Sequence, residues 1–234
     1  MLSQSNFTLY RSLDFFSDCT IDNCSEFNLW GYLSPFKYCP PPGRNYMCFV
    51  SFDTIRLRAE NIDIVLQPGM AFSINSPFEL TGEGLVTGFS CPLYQSFFQL
   101  VGPVLSRGLL SYIDGCSDTL MIPPVKLGFP CLNHLHFPPH TVQTFHTHPS
   151  FRAGVVYKGS GVARFVESEY PLKEGDIFFL PANLIHAFRS DDDSLDVVAF
   201  HPDSDFGPTD TDHPMINRTI VNGFSAKFLS SVPK

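Results

Sequence analysis

HTHPSFR at residues 146–152 and GDIFFLPANLIH at residues 175–186 are the two stretches that decide how this chain is read. In extended backbone alternate side chains point the same way, so His146 and His148 look into one space. His186 closes the second stretch, after Gly175 and a short apolar run. Three imidazoles brought together form a ligand set suited to Fe, Mn, Ni, Cu or Zn, with little to choose between these metals.

Working outward, the chain of 234 residues carries 24 Phe, 20 Pro and 16 Gly. That mixture suits many short strands joined by tight turns, so an all-β protein is expected. The net charge is −8, and no Lys/Arg cluster could neutralise a run of phosphates, which excludes nucleic acid as a partner. The start lacks a basic segment followed by a sustained apolar one, and no apolar run is long enough to span a bilayer. A soluble, cytoplasmic protein without membrane contact is the expectation. All seven cysteines lie between Cys19 and Cys131. They read as small buried hydrophobes of a reduced protein, and Cys19 and Cys24 lack the paired CxxC of a zinc ribbon.

The spacing around the histidines resembles the two motifs of the cupin superfamily, G-x5-HxH-x3/4-E-x6-G and G-x5-PxG-x2-H. Five residues separate His140 from His146, three separate His148 from Arg152, and six separate Arg152 from Gly159. Five more separate Gly175 from Pro181, and His186 ends the second motif. Three positions depart from the pattern: His140 replaces a Gly, Asn183 replaces the Gly of PxG, and Arg152 replaces the Glu. Asn tolerates positive φ better than most residues. A guanidinium cannot ligate a metal, so the resemblance implies a three-histidine site like that of cupins related to thiol and diketone dioxygenases.

The first half echoes the second. IDIVLQPGMAFSIN (62–75) corresponds to YPLKEGDIFFLP (170–181), LVTGFSCP (85–92) to DVVAFHP (196–202), and CPPPG (39–43) to HFPPH (136–140). On this pairing the first copy is nine residues short where the second carries VQTFHTHPS, and Leu80 stands for His186. Every histidine belongs to the second half. The expected architecture is two tandem cupin barrels (double-stranded β-helix, jelly-roll): an N-terminal one over residues 1–120 without ligands and a C-terminal metal-binding one over 121–234. A single barrel with long decoration is the rival. Between them FFQLVGPVLSRGLLSYI (97–113) reads as a short helical linker. After the second copy the chain is turn-rich and returns as a strand over 217–221.

Candidate roles follow from placement. Pointing inward beside a dication, Arg152 needs an anion between the two charges, so a substrate carboxylate or enolate is expected there. His201 and Tyr157 are candidate proton-transfer groups, and His134, His136 and Phe188 candidate pocket lining. His140 and His213 read as turn residues, and the Asp-rich runs from Asp191 to Asp212 as solvated loops, since the EF-hand spacing is absent. The leading expectation is an Fe(II)-dependent oxygenase acting on a small acidic molecule, in a homodimer. A metal-dependent isomerase or epimerase of a small carbonyl compound and a non-catalytic ligand-binding module are the alternatives.

Overall fold

The computed structural model describes residues 7–11, 19–20, 27–33, 36–75, 77–92, 94 and 96–229. Cys24 lies outside these. Antiparallel strands dominate, in two groups with matching order. The first-half sheet runs Gln99–Val101, Ala71–Ile74, Arg44–Phe52, Leu85–Pro92, Asn28–Leu33, Cys19–Thr20. The second runs Thr8–Tyr10, Ile177–Leu180, Arg152–Arg164, Leu195–His201, Cys131–Phe137, Ser117–Ile122, Leu110–Ser111. Two segments from before residue 120 therefore pair into the second-half sheet, and Arg11 forms an ion pair there with the buried Asp176.

The repeat is visible atom by atom. Gly69 N–H donates to the Val50 carbonyl at 2.8 Å and Val50 N–H to Met70 O at 3.0 Å; Gly175 N–H donates to Val156 O at 2.9 Å and Val156 N–H to Asp176 O at 2.8 Å. Both glycines turn at positive φ, +85° and +82°, where a side chain is strained. The pairing of CPPPG with HFPPH does not hold, because Tyr38 faces Leu80 as His146 faces His186. Proline content suggested one alignment, and strand pairing imposes another. The strand Phe36–Tyr38 runs where the second half carries its histidines.

Each half encloses its own apolar cluster. In the first, Trp30, Tyr38, Val50, Leu57, Phe72 and Leu80 are buried together, with the Trp30 and Tyr38 ring centroids 4.4 Å apart. Trp30 pairs with Gly88, and a Cβ there would lie 1.9 Å from the Trp30 ring. The equivalent second-half pair is Asn133 and Ala199. An indole thus fills the first interior where the second has an amide.

A third cluster joins the two sheets back to back. Met47, Phe49, Phe89 and Cys91 from one meet Ala153, Val155, Tyr157, Val198 and Phe200 from the other. Phe89 stacks on Phe200 with centroids 5.1 Å apart and planes at 6°, and Phe49 meets Tyr157 edge-on at 5.1 Å. Strand alternation divides the labour. On Arg152–Arg164 the odd-numbered Ala153, Val155 and Tyr157 face the other half, whereas Val156 packs in its own interior.

The helix expected over 97–113 reduces to strands Gln99–Val101 and Leu110–Ser111 and one 3-10 turn, Ile113–Gly115. Pro103 offers no N–H to a helix, Gly102 (φ +104°) breaks the backbone pattern, and the apolar spacing leaves Leu105, Leu109 and Leu110 exposed. The strand expected over 217–221 is confined to Ile220–Val221, because Pro214 starts a short helix, Pro214–Arg218. Cys48, Cys91, Cys116 and Cys131 are buried free thiols, as composition implied, while Cys39 is exposed.

Candidate metal centre

The segment bearing His146 and His148 is not a regular strand. It is held by an isolated bridge to the second motif, with His146 N–H to His186 O at 2.9 Å and His186 N–H to His146 O at 3.0 Å. Its ends are pinned as well. Thr144 N–H donates to Asp114 Oδ2 at 2.6 Å, and Asn183 N–H to His148 O at 2.8 Å. His140 and Asn183, which replace motif glycines, both adopt positive φ, +61° and +62°, so the turns survive without glycine.

One ligand atom from each of His146, His148 and His186 lies within 4.8 Å of the other two. The Nδ1 atoms of His146 and His186 sit 2.9 Å from Thr144 O and 2.8 Å from Leu184 O. Assigning the proton to Nδ1 makes these donor bonds to carbonyls, leaving each Nε2 lone pair free toward the cluster. Electrostatics keep the His148 and His186 rings neutral. Burial, then the Arg152 charge and the neighbouring histidines, lowers the His148 pKa to about 3. For His186 burial is again the main cause, and its pKa falls to about 4. Neutral imidazoles with convergent lone pairs are the form a transition metal takes, so the donor set fits such an ion.

The three rings open on a cavity of about 110 Å³. Its walls are apolar, with Leu135, Phe137, Phe178, Leu180, Phe188 and Val197, and Arg152 and His201 share it. Arg152 Nη1 donates to Ser150 Oγ at 2.7 Å and Phe151 O at 2.8 Å, while its buried Nε has no partner among the described residues. Burial, with Arg152 and His148 adding to it, drives the His201 pKa well below the ordinary histidine value.

Other sequence candidates lie elsewhere. Tyr157 is in the cluster between the halves, since its odd position points away from the cavity. His134 and His136 do not line it either. They lie on the opposite face of Cys131–Phe137, where both meet Asp196 Oδ1, at 2.7 and 2.9 Å. The cavity is lined instead by Asn133, Leu135 and Phe137 of that strand. Asp118, Asn133, Tyr112 and Gln143 line it without having been anticipated. For Asn133 the signal was its parity with Leu135 and Phe137, a polar residue on an apolar face; for Asp118 the sequence held none.

Solved structures place this architecture. A glyoxylate-induced protein of Pseudomonas aeruginosa superposes with TM-score 0.67 at 14% identity, covering 87% of this chain and 91% of that one. The fold is cupin-like. A cupin 2 conserved barrel domain protein from Leptotrichia buccalis gives 0.57 at 13% identity, over 84% and 88%. Salicylate 1,2-dioxygenase from Pseudaminobacter salicylatoxidans gives 0.60 at 9%, over 84% of each chain. A family model described as the AraC-like ligand binding domain matches residues 130–207, which hold all three clustered histidines. No curated protein sequence matches the chain at a significant level.

Proposed function

We propose that the second half is a metal-dependent enzyme domain of a two-barrel cupin, a three-histidine Fe(II) oxygenase acting on a small acidic molecule. The observation that carries this is the meeting of three imidazoles and one half-buried arginine on a single apolar cavity. His146, His148 and His186 would hold the ion through Nε2. Bound there, a divalent metal would supply a redox-active Lewis acid with open coordination positions.

The remaining steps belong to the chain. Arg152 remains a cation, because guanidinium does not deprotonate in proteins even where burial lowers its pKa. Its unpaired Nε offers an ionic hydrogen bond to a substrate carboxylate, which also relieves the repulsion that Arg152 exerts on His148 and His201. Neutral His201 presents a ring nitrogen at the cavity wall, a hydrogen-bond partner for substrate whose proton affinity rises once the substrate anion offsets the Arg152 charge. Phe137, Phe178 and Phe188 exclude water. Tyr157 has no part in this scheme. The division at residue 120 stays part of this proposal, with Thr8–Tyr10 and Leu110–Ser111 pairing onto the second-half sheet. Homodimer and cytoplasmic location remain expectations, checked by sedimentation and fractionation.

The AraC-like match over 130–207 favours a second reading, a ligand-binding module without turnover. Elemental analysis of the purified chain beside His146→Ala/His148→Ala decides whether metal is held. Wild type should carry about one transition metal per chain and the double variant none; metal-free protein in both cases sinks the enzyme reading. Oxygen consumption by Fe(II)-loaded protein with candidate carboxylates then separates oxygenase from binder.

A further inference from the structure

Two of the unanticipated residues define a second recognition point in the cavity. Asn133 Nδ2 donates to Asp118 Oδ2 at 3.2 Å, and this contact fixes which way the amide faces, since the reversed amide would set oxygen against oxygen. Asn133 Oδ1 and Asp118 Oδ1 are then both acceptors. Both are buried, and neither has a hydrogen-bond partner among the described residues. Leu135, Phe137, Phe178 and Val197 of the cavity can donate nothing; the Tyr112 hydroxyl, which feels the Asp118 charge, shares the cavity but makes no hydrogen bond to either atom among the described residues. Arg152 does not pair with Asp118 among the described ion pairs, so cation and acceptors remain separate features of the same cavity.

We infer that the Asp118–Asn133 pair selects ligands carrying a nitrogen with at least two hydrogens, a primary amide or an ammonium group, in addition to the carboxylate that Arg152 holds. Two unpaired acceptors on side chains in mutual contact can take two N–H donors. A methyl group or ketone at that point would leave both buried acceptors unpaired, and sites of this kind discriminate strongly against analogues lacking the donor. The first half contains no such pair, because Trp30 occupies the position of Asn133. The inference rests on the proposed role of Arg152 but not on the metal.

The test uses three isosteric pairs, each exchanging –NH2 for –CH3 on the same keto or amido acid skeleton: oxamate against pyruvate, malonamate against acetoacetate, succinamate against levulinate. Each is titrated calorimetrically into the full chain, both chelator-treated and anaerobically loaded with Fe(II). At one chain length or more the amide should bind about tenfold or more tighter. In Asn133→Leu the ratio should fall to near one. Asp118→Asn, which keeps the shape and exchanges an acceptor for a donor, should lower it too, and circular dichroism checks that both variants are folded. Arg152→Met should weaken both members of a pair and leave their ratio unchanged. Ratios near one in every wild-type pair, or no binding by any of the six acids, overturn the inference. A high ratio in protein that binds no metal would leave this subsite standing and remove the enzyme reading; stoichiometric Fe(II) with ratios near one would do the reverse.

Discussion

Gly88 is a residue whose absence of side chain is a packing requirement, since Trp30 occupies the volume a Cβ would need. Gly88→Ala should therefore destabilise by about 1–3 kcal/mol, as overpacked cores do, read as a lower denaturant midpoint at unchanged slope. The same substitution logic applies in reverse to Ala199, where the smaller Asn133 leaves room. Charge state gives a second prediction. His148 and His186 titrate at about 3 and about 4 in the folded chain, against 6.5 for an ordinary histidine. As pH falls below about 6.5 the unfolded chain binds protons that the folded chain refuses, so metal-free protein loses stability progressively, with the full loss reached below about pH 3. Urea titrations between pH 7 and 4 should show a shallower decline in His148→Asn/His186→Asn. Parallel declines in wild type and variant would mean that these imidazoles protonate in place.

Among the elements, the strand Thr8–Tyr10 has the most exposed dependence. It covers the edge of Ile177–Leu180, directly beside the second motif, and brings Arg11 to Asp176, a fully buried carboxylate. Removing residues 1–11 should lower the melting temperature and promote association through the uncovered edge, seen as a concentration-dependent shift in light scattering. Arg11→Ala alone should cost less, about 1–2 kcal/mol, because Arg11 is partly exposed and water replaces some of its contribution. Elements also explain what could be read beforehand. The histidine triad was legible because its ligands sit at fixed spacings in two short motifs. The place of Tyr157 is legible too: counting alternation from Arg152 puts it on the other face of its strand. His134 and His136 also form an HxH, but its parity is opposite to that of the lining residues Asn133, Leu135 and Phe137. In the linker, apolar spacing alone points to a helix, and Gly102 and Pro103 decide against one. Asp118 could not be found at all, since only the pairing of Ser117–Ile122 with Cys131–Phe137 brings it beside Asn133.

At the scale of the whole molecule, the back-to-back cluster makes the two halves a single thermodynamic object. Phe200 is buried against Phe89 from the other half. Phe200→Ala should remove about 3–5 kcal/mol from the full chain while preserving a single unfolding transition by fluorescence and circular dichroism. Two separate transitions in wild type would mean the halves are only loosely tethered. The filled first interior bears on how the molecule counts its ligands. With Trp30, Tyr38 and Leu80 where the second half has Asn133, His146 and His186, two like scaffolds offer one candidate site. A saturation curve should thus level at one equivalent per chain with a Hill coefficient of one, and any sigmoidal response would have to originate between chains rather than between the halves of one.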